Sequence, residues 1–173
     1  MKRIIFTLLI LFSLCSICYA NDITDVKKII DDYYPGKAVN TDILYLPQSL
    51  PNGWVYYDGI YNNCKIVVFA QNDVVGLVAI RIDNVFTNQW LPVIFEKLGK
   101  PTDDLSFDAK KILKTNVVSL VRDDIIGWSF RSSDWFTNMK GEDIAPYTAL
   151  IVRDKRMDFP KSWALYLYAK DFY

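Results

Sequence analysis

Residues 64–101 read CKIVVFAQNDVVGLVAIRIDNVFTNQWLPVIFEKLGKP, two apolar strands and one capped helix that follow each other almost without a linker. Ile66, Val67, Val68 and Phe69 are consecutive β-formers, Gln71-Asn72-Asp73 supplies turn chemistry, and Val75, Leu77, Val78 and Ile80 carry a return strand through to Ile82. An apolar run this continuous does not suit a sheet with one face in water, so both faces are expected to be covered here. Gly76 interrupts the second strand and predicts a bulge or a close backbone approach. From Asn88 the period changes to 3.6, with Leu91, Ile94, Phe95 and Leu98 on one face and Glu96 and Lys97 off it. Pro92 is tolerable only in a first turn, so the 88–98 helix starts around Trp90 to Pro92. Gly99 is suited to the left-handed position after the helix, and Pro101 prevents continuation.

Upstream, Val26, Ile29, Ile30 and Tyr33 form the stripe of an amphipathic helix over 24–34, which Pro35-Gly36 stops. Lys27, Lys28, Asp31 and Asp32 fall on its other face and read as a solvated surface. Residues 35–53, with Pro35, Gly36, Pro47, Pro51 and Gly53, read as a loop with one short extended piece around Tyr45 and Leu46. Trp54 to Tyr57 reads as a strand ended by Asp58-Gly59.

Downstream, Thr102 to Asp108 is a polar connection, and Ala109 to Leu113 is a helical turn or the lead into a strand. Residues 117–122 and 125–132 make a second hairpin around Asp123-Asp124, followed by an exposed loop from Ser132 to Ala145 and a strand from Tyr147 to Arg153. Residues 163–169 fit strand alternation and a helix after Pro160 about equally, and aromatic content tips the reading to strand. These elements predict an α+β fold: an antiparallel sheet of about five to six strands, a central packed helix (88–98) and an N-terminal helix beside it.

Composition sets the class. Lys2 and Arg3, the 14-residue apolar run Ile4 to Ile17 and the triplet Cys18-Tyr19-Ala20 match a signal peptide over residues 1–20, cleaved after Ala20. The run is shorter than the roughly 20 apolar residues a membrane span needs. A lipoprotein leader is disfavoured by bulky Leu14 and Ile17 before Cys15 and Cys18. Cleavage would leave 153 residues as a single domain, 21–173, with 18 basic against 20 acidic side chains, and an exported protein, periplasmic or extracellular. That balance offers no footprint for nucleic acid or for an anionic membrane surface. Cys64 alone would remain of three cysteines, so no internal disulfide is available.

The chain has no histidine. Ser-His-Asp and Cys-His nucleophile pairs are therefore excluded, and with them the commonest zinc ligands and the usual general base. No cofactor or metal is expected. Calcium loops, Gly-rich phosphate cradles and basic-aromatic nucleic-acid surfaces are absent. A glycosidase needs only two carboxyls at a set separation, so two aspartates from different strands, such as Asp58 and Asp83, are the pair a hydrolase could use, whereas Asp103-Asp104 and Asp123-Asp124 read as turns. Cys64 reads as a small packed residue beside Lys65.

Aromatic residues carry the one functional signal. Trp54, Tyr56, Tyr57 and Tyr61 cluster before the first hairpin, and Trp128, Phe130, Trp135 and Phe136 around the second. Such groups anchor protein interfaces, stack on sugars or build cores. Trp135 and Phe136 stand out because they sit in a polar loop, so Trp135, Phe136, Trp128 and Tyr57 are the candidate binding residues. The function expected is a small non-enzymatic protein that binds another protein, as an inhibitor or immunity factor does. A cell-wall carbohydrate-binding module is the alternative, and a carboxylate-based hydrolase the third.

Overall fold

Helix α1, residues 23–33, buries Val26, Ile29, Ile30 and Tyr33, the four residues of its sequence stripe. The computed structural model describes residues 23–83, 96–99, 103–104, 115–121, 124–132, 136–137, 141–144, 147–160, 163 and 167. The expected leader, residues 88–95 of the expected helix, the 109–113 segment and Trp135 lie outside them. After α1 the chain turns at Gly36, whose φ of +95° a side chain would resist. Gly36 N–H then donates to Val75 O, and Val75 N–H to Lys37 O, both at 2.8 Å, so the helix end is fastened to the sheet.

The strands are β1 (Leu44–Ser49), β2 (Trp54–Tyr61), β3 (Cys64–Gln71), β4 (Val74–Ile82), β5 (Asp103–Asp104), β6 (Thr115–Val121), β7 (Ile125–Ser132), β8 (Phe136–Thr137), β9 (Asp143–Ile144) and β10 (Tyr147–Asp154). One antiparallel sheet has the order β1-β2-β3-β4-β10-β7-β6-β5, and β8 pairs with β9 in a small second sheet. Five strands of eight or nine residues, β2, β3, β4, β7 and β10, form its body. The expected five to six strands match that body. The shorter β1, β5 and β6 extend the sheet at its margins to eight, wider than expected.

The β3–β4 turn has Asn72 and Asp73 at φ of +53° and +59°, the left-handed pair a two-residue hairpin needs. Gly76 is the bulge expected of it, and the group close to it is a side chain. Phe69 pairs with Leu77 and Ala70 with Val75, which leaves Gly76 as the extra residue of a bulge, and the Trp54 ring lies over it. Asp58-Gly59, expected to turn, instead continues β2, and the chain reverses at Asn62-Asn63. A β-carbon at Gly59 would fall 2.7 Å from Leu44 Cδ2 on β1 and 3.0 Å from Ile43 O, so a side chain there would crowd the β1 margin.

Side chains alternate between two cores, as the continuous apolar runs require. On the first face Cys64, Ile66, Val68, Val78, Ile80, Ile82, Leu150 and Val152 pack against α1 and Leu98. On the second, Tyr56, Val67, Phe69, Leu77, Ala79, Tyr147, Ala149 and Ile151 pack with Trp54, Phe159 and Leu167. Full burial of each large apolar side chain contributes roughly 1.5–3 kcal/mol, so two such faces hold the domain without any cross-link among the described residues.

Residues 96–98 are helical and Gly99 has φ +93°, as the capped helix requires. That helix end is not central. Lys27 pairs with Glu96 at 3.1 Å and Lys97 with Asp31 at 2.8 Å, which docks it beside α1 on the first face. The strand reading of 163–169 is corrected at its two described residues, since Trp163 and Leu167 are helical, and Trp163 N–H donates to Pro160 O at 2.9 Å. The four-residue spacing brings both onto the second core, where Leu167 is fully buried. Arg153 stacks on Phe159 and Trp163, with centroid distances of 5.4 and 5.3 Å.

Candidate binding end of the sheet

At one end of the sheet an ion pair, a buried arginine and a cleft come together. Tyr61 pairs with Cys64, Cys64 with Ile82, Ile82 with Thr148, and Tyr147 with Ser132. The end of β2, the start of β3, the end of β4 and the start of β10 therefore stand side by side. The 132–147 connection leaves from this same end. A cleft of about 440 Å³ opens there beside the buried Cys64 and Ile82, lined by Ile60, Asn62, Asn63, Lys65 and Asp83.

Antiparallel pairing sets the charges. Lys65 is the register partner of Arg81, so the two cations share a row and meet the carboxylate that follows β4. Lys65 Nζ lies 2.9 Å from Asp83 Oδ2, and Arg81 Nε donates to Asp83 Oδ1 at 2.9 Å. Burial pushes the Asp83 carboxyl up, but the Lys65 and Arg81 hydrogen bonds and charges outweigh it and hold the group below the ordinary carboxylate range. Arg81 is only 5% exposed, and its guanidinium lies 4.5 Å from the Tyr147 ring centroid. Tyr147, Arg81, Asp83 and Lys65 thus form a linked row from the root of the 132–147 connection to the cleft. Lys65 and Asp83 are half exposed, so their pair contributes at most about 1 kcal/mol to stability. Its chemical value is orientation: a cation and an anion held in fixed places at a water-accessible mouth.

Ile60 is 54% exposed in the wall of this cleft. Sequence reasoning missed it because Asp58-Gly59 was expected to end the strand before it. The signal available was alternation, which puts Ile60 in the Tyr56, Asp58, Ile60 row.

Of the sequence candidates, Tyr57 and Trp128 stand apart in the sheet. Trp128 occupies the β7 register position opposite Ile151, four residues inward from Ser132. Phe136 lies in β8, paired with Ile144, inside the 132–147 connection, and Trp135 lies outside the described residues. Tyr57 pairs with Val68 and is half-buried against the first core. Three strands separate β2 from β7, roughly 19 Å at the usual strand spacing. Asp58 and Asp83 are not a catalytic pair either. Asp58 is buried and accepts from Tyr56 Oη at 2.7 Å. Its register level on β4 is Ala79, which puts the two residues about 16 Å apart in the backbone, beyond the carboxyl separations of about 5–9.5 Å that glycosidases use. Among the described residues no group of three or more Cys, Asp or Glu could hold a metal, and no helix is long and apolar enough to cross a membrane.

At the outer margin, Tyr45 and Leu46 of β1 are exposed. Leu46 has φ +52°, and the register shifts between Tyr45 and Gln48. With Pro47 lacking an N–H, this interrupts the edge and guards it against pairing with another strand.

No family model and no curated protein matches the chain. Among solved structures it is similar to the crystal structure of a cysteine-rich secretory protein from Staphylococcus aureus, at 13% identity and a TM-score of 0.29, over 77% of this chain and 44% of that one. A likeness that weak fixes neither fold nor function, and the chain spans less than half the length of that protein.

Proposed function

We propose that this is an exported, non-enzymatic protein that binds another protein, in the manner of an inhibitor or immunity factor, through the sheet end described above. The observation that supports it best is the linked row Tyr147, Arg81, Asp83 and Lys65, which joins the root of the 132–147 connection to a cleft with an exposed isoleucine. A loop carried on a stiff, charge-fixed sheet end is the usual build of a binding surface. Export rests on the leader residues Lys2 to Ala20. The carbohydrate-binding alternative has less support, because Tyr45 is the one exposed aromatic among the described side chains.

The test is capture from periplasmic extract by the immobilised protein, in wild type and in two variants, Ile60→Glu with Lys65→Glu, and Trp135→Ser with Phe136→Ser. A stoichiometric partner retained by wild type and lost by both folded variants is the expected result. No partner for wild type, or equal retention by both variants, overturns the reading.

A further inference from the structure

A second, smaller pocket lies between α1 and the start of the sheet, about 180 Å³ in volume. Ile29 and Tyr33 of α1 make its floor, and Ile43 and Tyr61 its walls. Asp32, Asp42 and Lys28 stand at its mouth. It is below the volume of a drug-sized site, roughly 300 Å³ or more, and of a size for one side chain.

The mouth already holds one ammonium group. Lys28 Nζ lies 2.6 Å from Asp32 Oδ2 and 5.8 Å from the Tyr61 ring centroid, so carboxylate and aromatic face both serve a cation there. Asp42 has no such counterpart and makes no ion pair among the described residues. Its backbone N–H donates to Asn40 Oδ1 at 2.9 Å, which fixes the turn that carries it. Two carboxylates against one lysine leave the mouth with a net charge of −1. The pocket floor registers this field: the Tyr33 phenol, which donates to Asn40 O at 2.8 Å, is pushed up to about 12, by burial first and then by Asp32 and Asp42.

Extending the protein-binding reading, on which it rests, we propose that this pocket receives one basic side chain, lysine or arginine, of the partner protein. The aliphatic stem lies on Ile43 and Tyr61, and the charged head meets Asp42. The complement is specific: a neutral side chain leaves Asp42 unmatched, and an acidic one adds to the two carboxylates.

Two measurements separate this proposal from the reading beneath it. Titration of the 21–173 protein with ethylguanidinium, followed by amide NMR, should give saturable shifts at Ile43 and Tyr61. Neutral ethylurea should give none, and Asp42→Asn should weaken binding about fivefold, the range of one partly exposed charge pair. Absence of saturable shifts, equal binding of ethylurea, or no effect of Asp42→Asn overturns the proposal. In capture from periplasmic extract, Asp42→Lys should lose the partner that wild type retains. Equal retention overturns the pocket's role and leaves protein binding standing, whereas a wild type that retains nothing removes the protein-binding reading and this proposal together.

Discussion

The six-membered ring of Trp54 lies over Gly76, so that a β-carbon on Gly76 would fall 2.6 Å from Trp54 Cη2 and 2.9 Å from Met157 Sδ. The indole is fully buried, donates from Nε1 to Asp158 O at 3.1 Å and stacks on Phe159 at 4.5 Å. It is fixed on both sides and cannot withdraw. Gly76→Ala should therefore destabilise the protein by about 1–3 kcal/mol, as overpacking does. Urea melts of this variant in wild-type and Trp54→Phe backgrounds form the check. The penalty should shrink in the second, where the smaller ring leaves room, and an equal penalty would place the strain elsewhere.

Leu98 closes the first core from the side of α1, while the neighbouring Lys97 reaches Asp31 at the surface. Leu98→Ala should cost about 2–5 kcal/mol through the lost contacts and the cavity left behind. Lys97→Ala should stay within about 1 kcal/mol, since both members of its pair are partly in water. Equal midpoint shifts in urea would mean that the 96–98 turn is held by charge and not by burial.

How much of this was legible follows the strength of the local signal. The β3–β4 hairpin, its bulge, α1 and the Gly99 cap were readable because each is written in consecutive residues: an apolar run, a 3.6 stripe, a glycine at a cap. The continuation of β2 through Asp58-Gly59 was not, because it is set by pairing with Val67 and Ile66 on β3 and with Tyr45 and Leu44 on β1, which no local pattern shows. Trp163 and Leu167 satisfied two periods at once, and the choice was made by the second core they cover. The site was less legible than the fold. Lys65, Arg81 and Asp83 are unremarkable apart and become a row only through β3–β4 register and the Tyr147 ring. Asp32 reads as one more solvated charge until Asp42 is brought to the same pocket.

Cys64 is fully buried and forms no disulfide among the described residues. A thiol so enclosed reacts only after the chain opens, so in native protein Cys64 should resist a thiol reagent and become reactive once the protein is unfolded in urea. The melting temperature should also be the same with and without reductant. Rapid labelling of native protein would contradict the burial, and a lower melting temperature in reductant would reveal a disulfide between two chains.

Tyr33 gives the protein an alkaline limit that can be assigned to one group. Its phenol is pushed from the ordinary value of 10.0 to about 12, by burial and by the carboxylates Asp32 and Asp42. In the unfolded chain the phenol ionises near its ordinary value, so between the two values the unfolded state has released a proton that the folded state still holds. Unfolding then releases a proton, and stability must fall as pH rises through that window, after being unaffected by this group at lower pH. Tyr33→Phe removes the titration and with it the hydrogen bond to Asn40 O, which contributes about 1 kcal/mol. The variant should therefore be less stable than wild type at neutral pH and lose less stability as pH rises from 10.0 toward 12. Urea midpoints measured across that range would decide it: parallel curves for the two proteins would show that Tyr33 titrates normally and that the field of Asp32 and Asp42 does not reach the pocket floor.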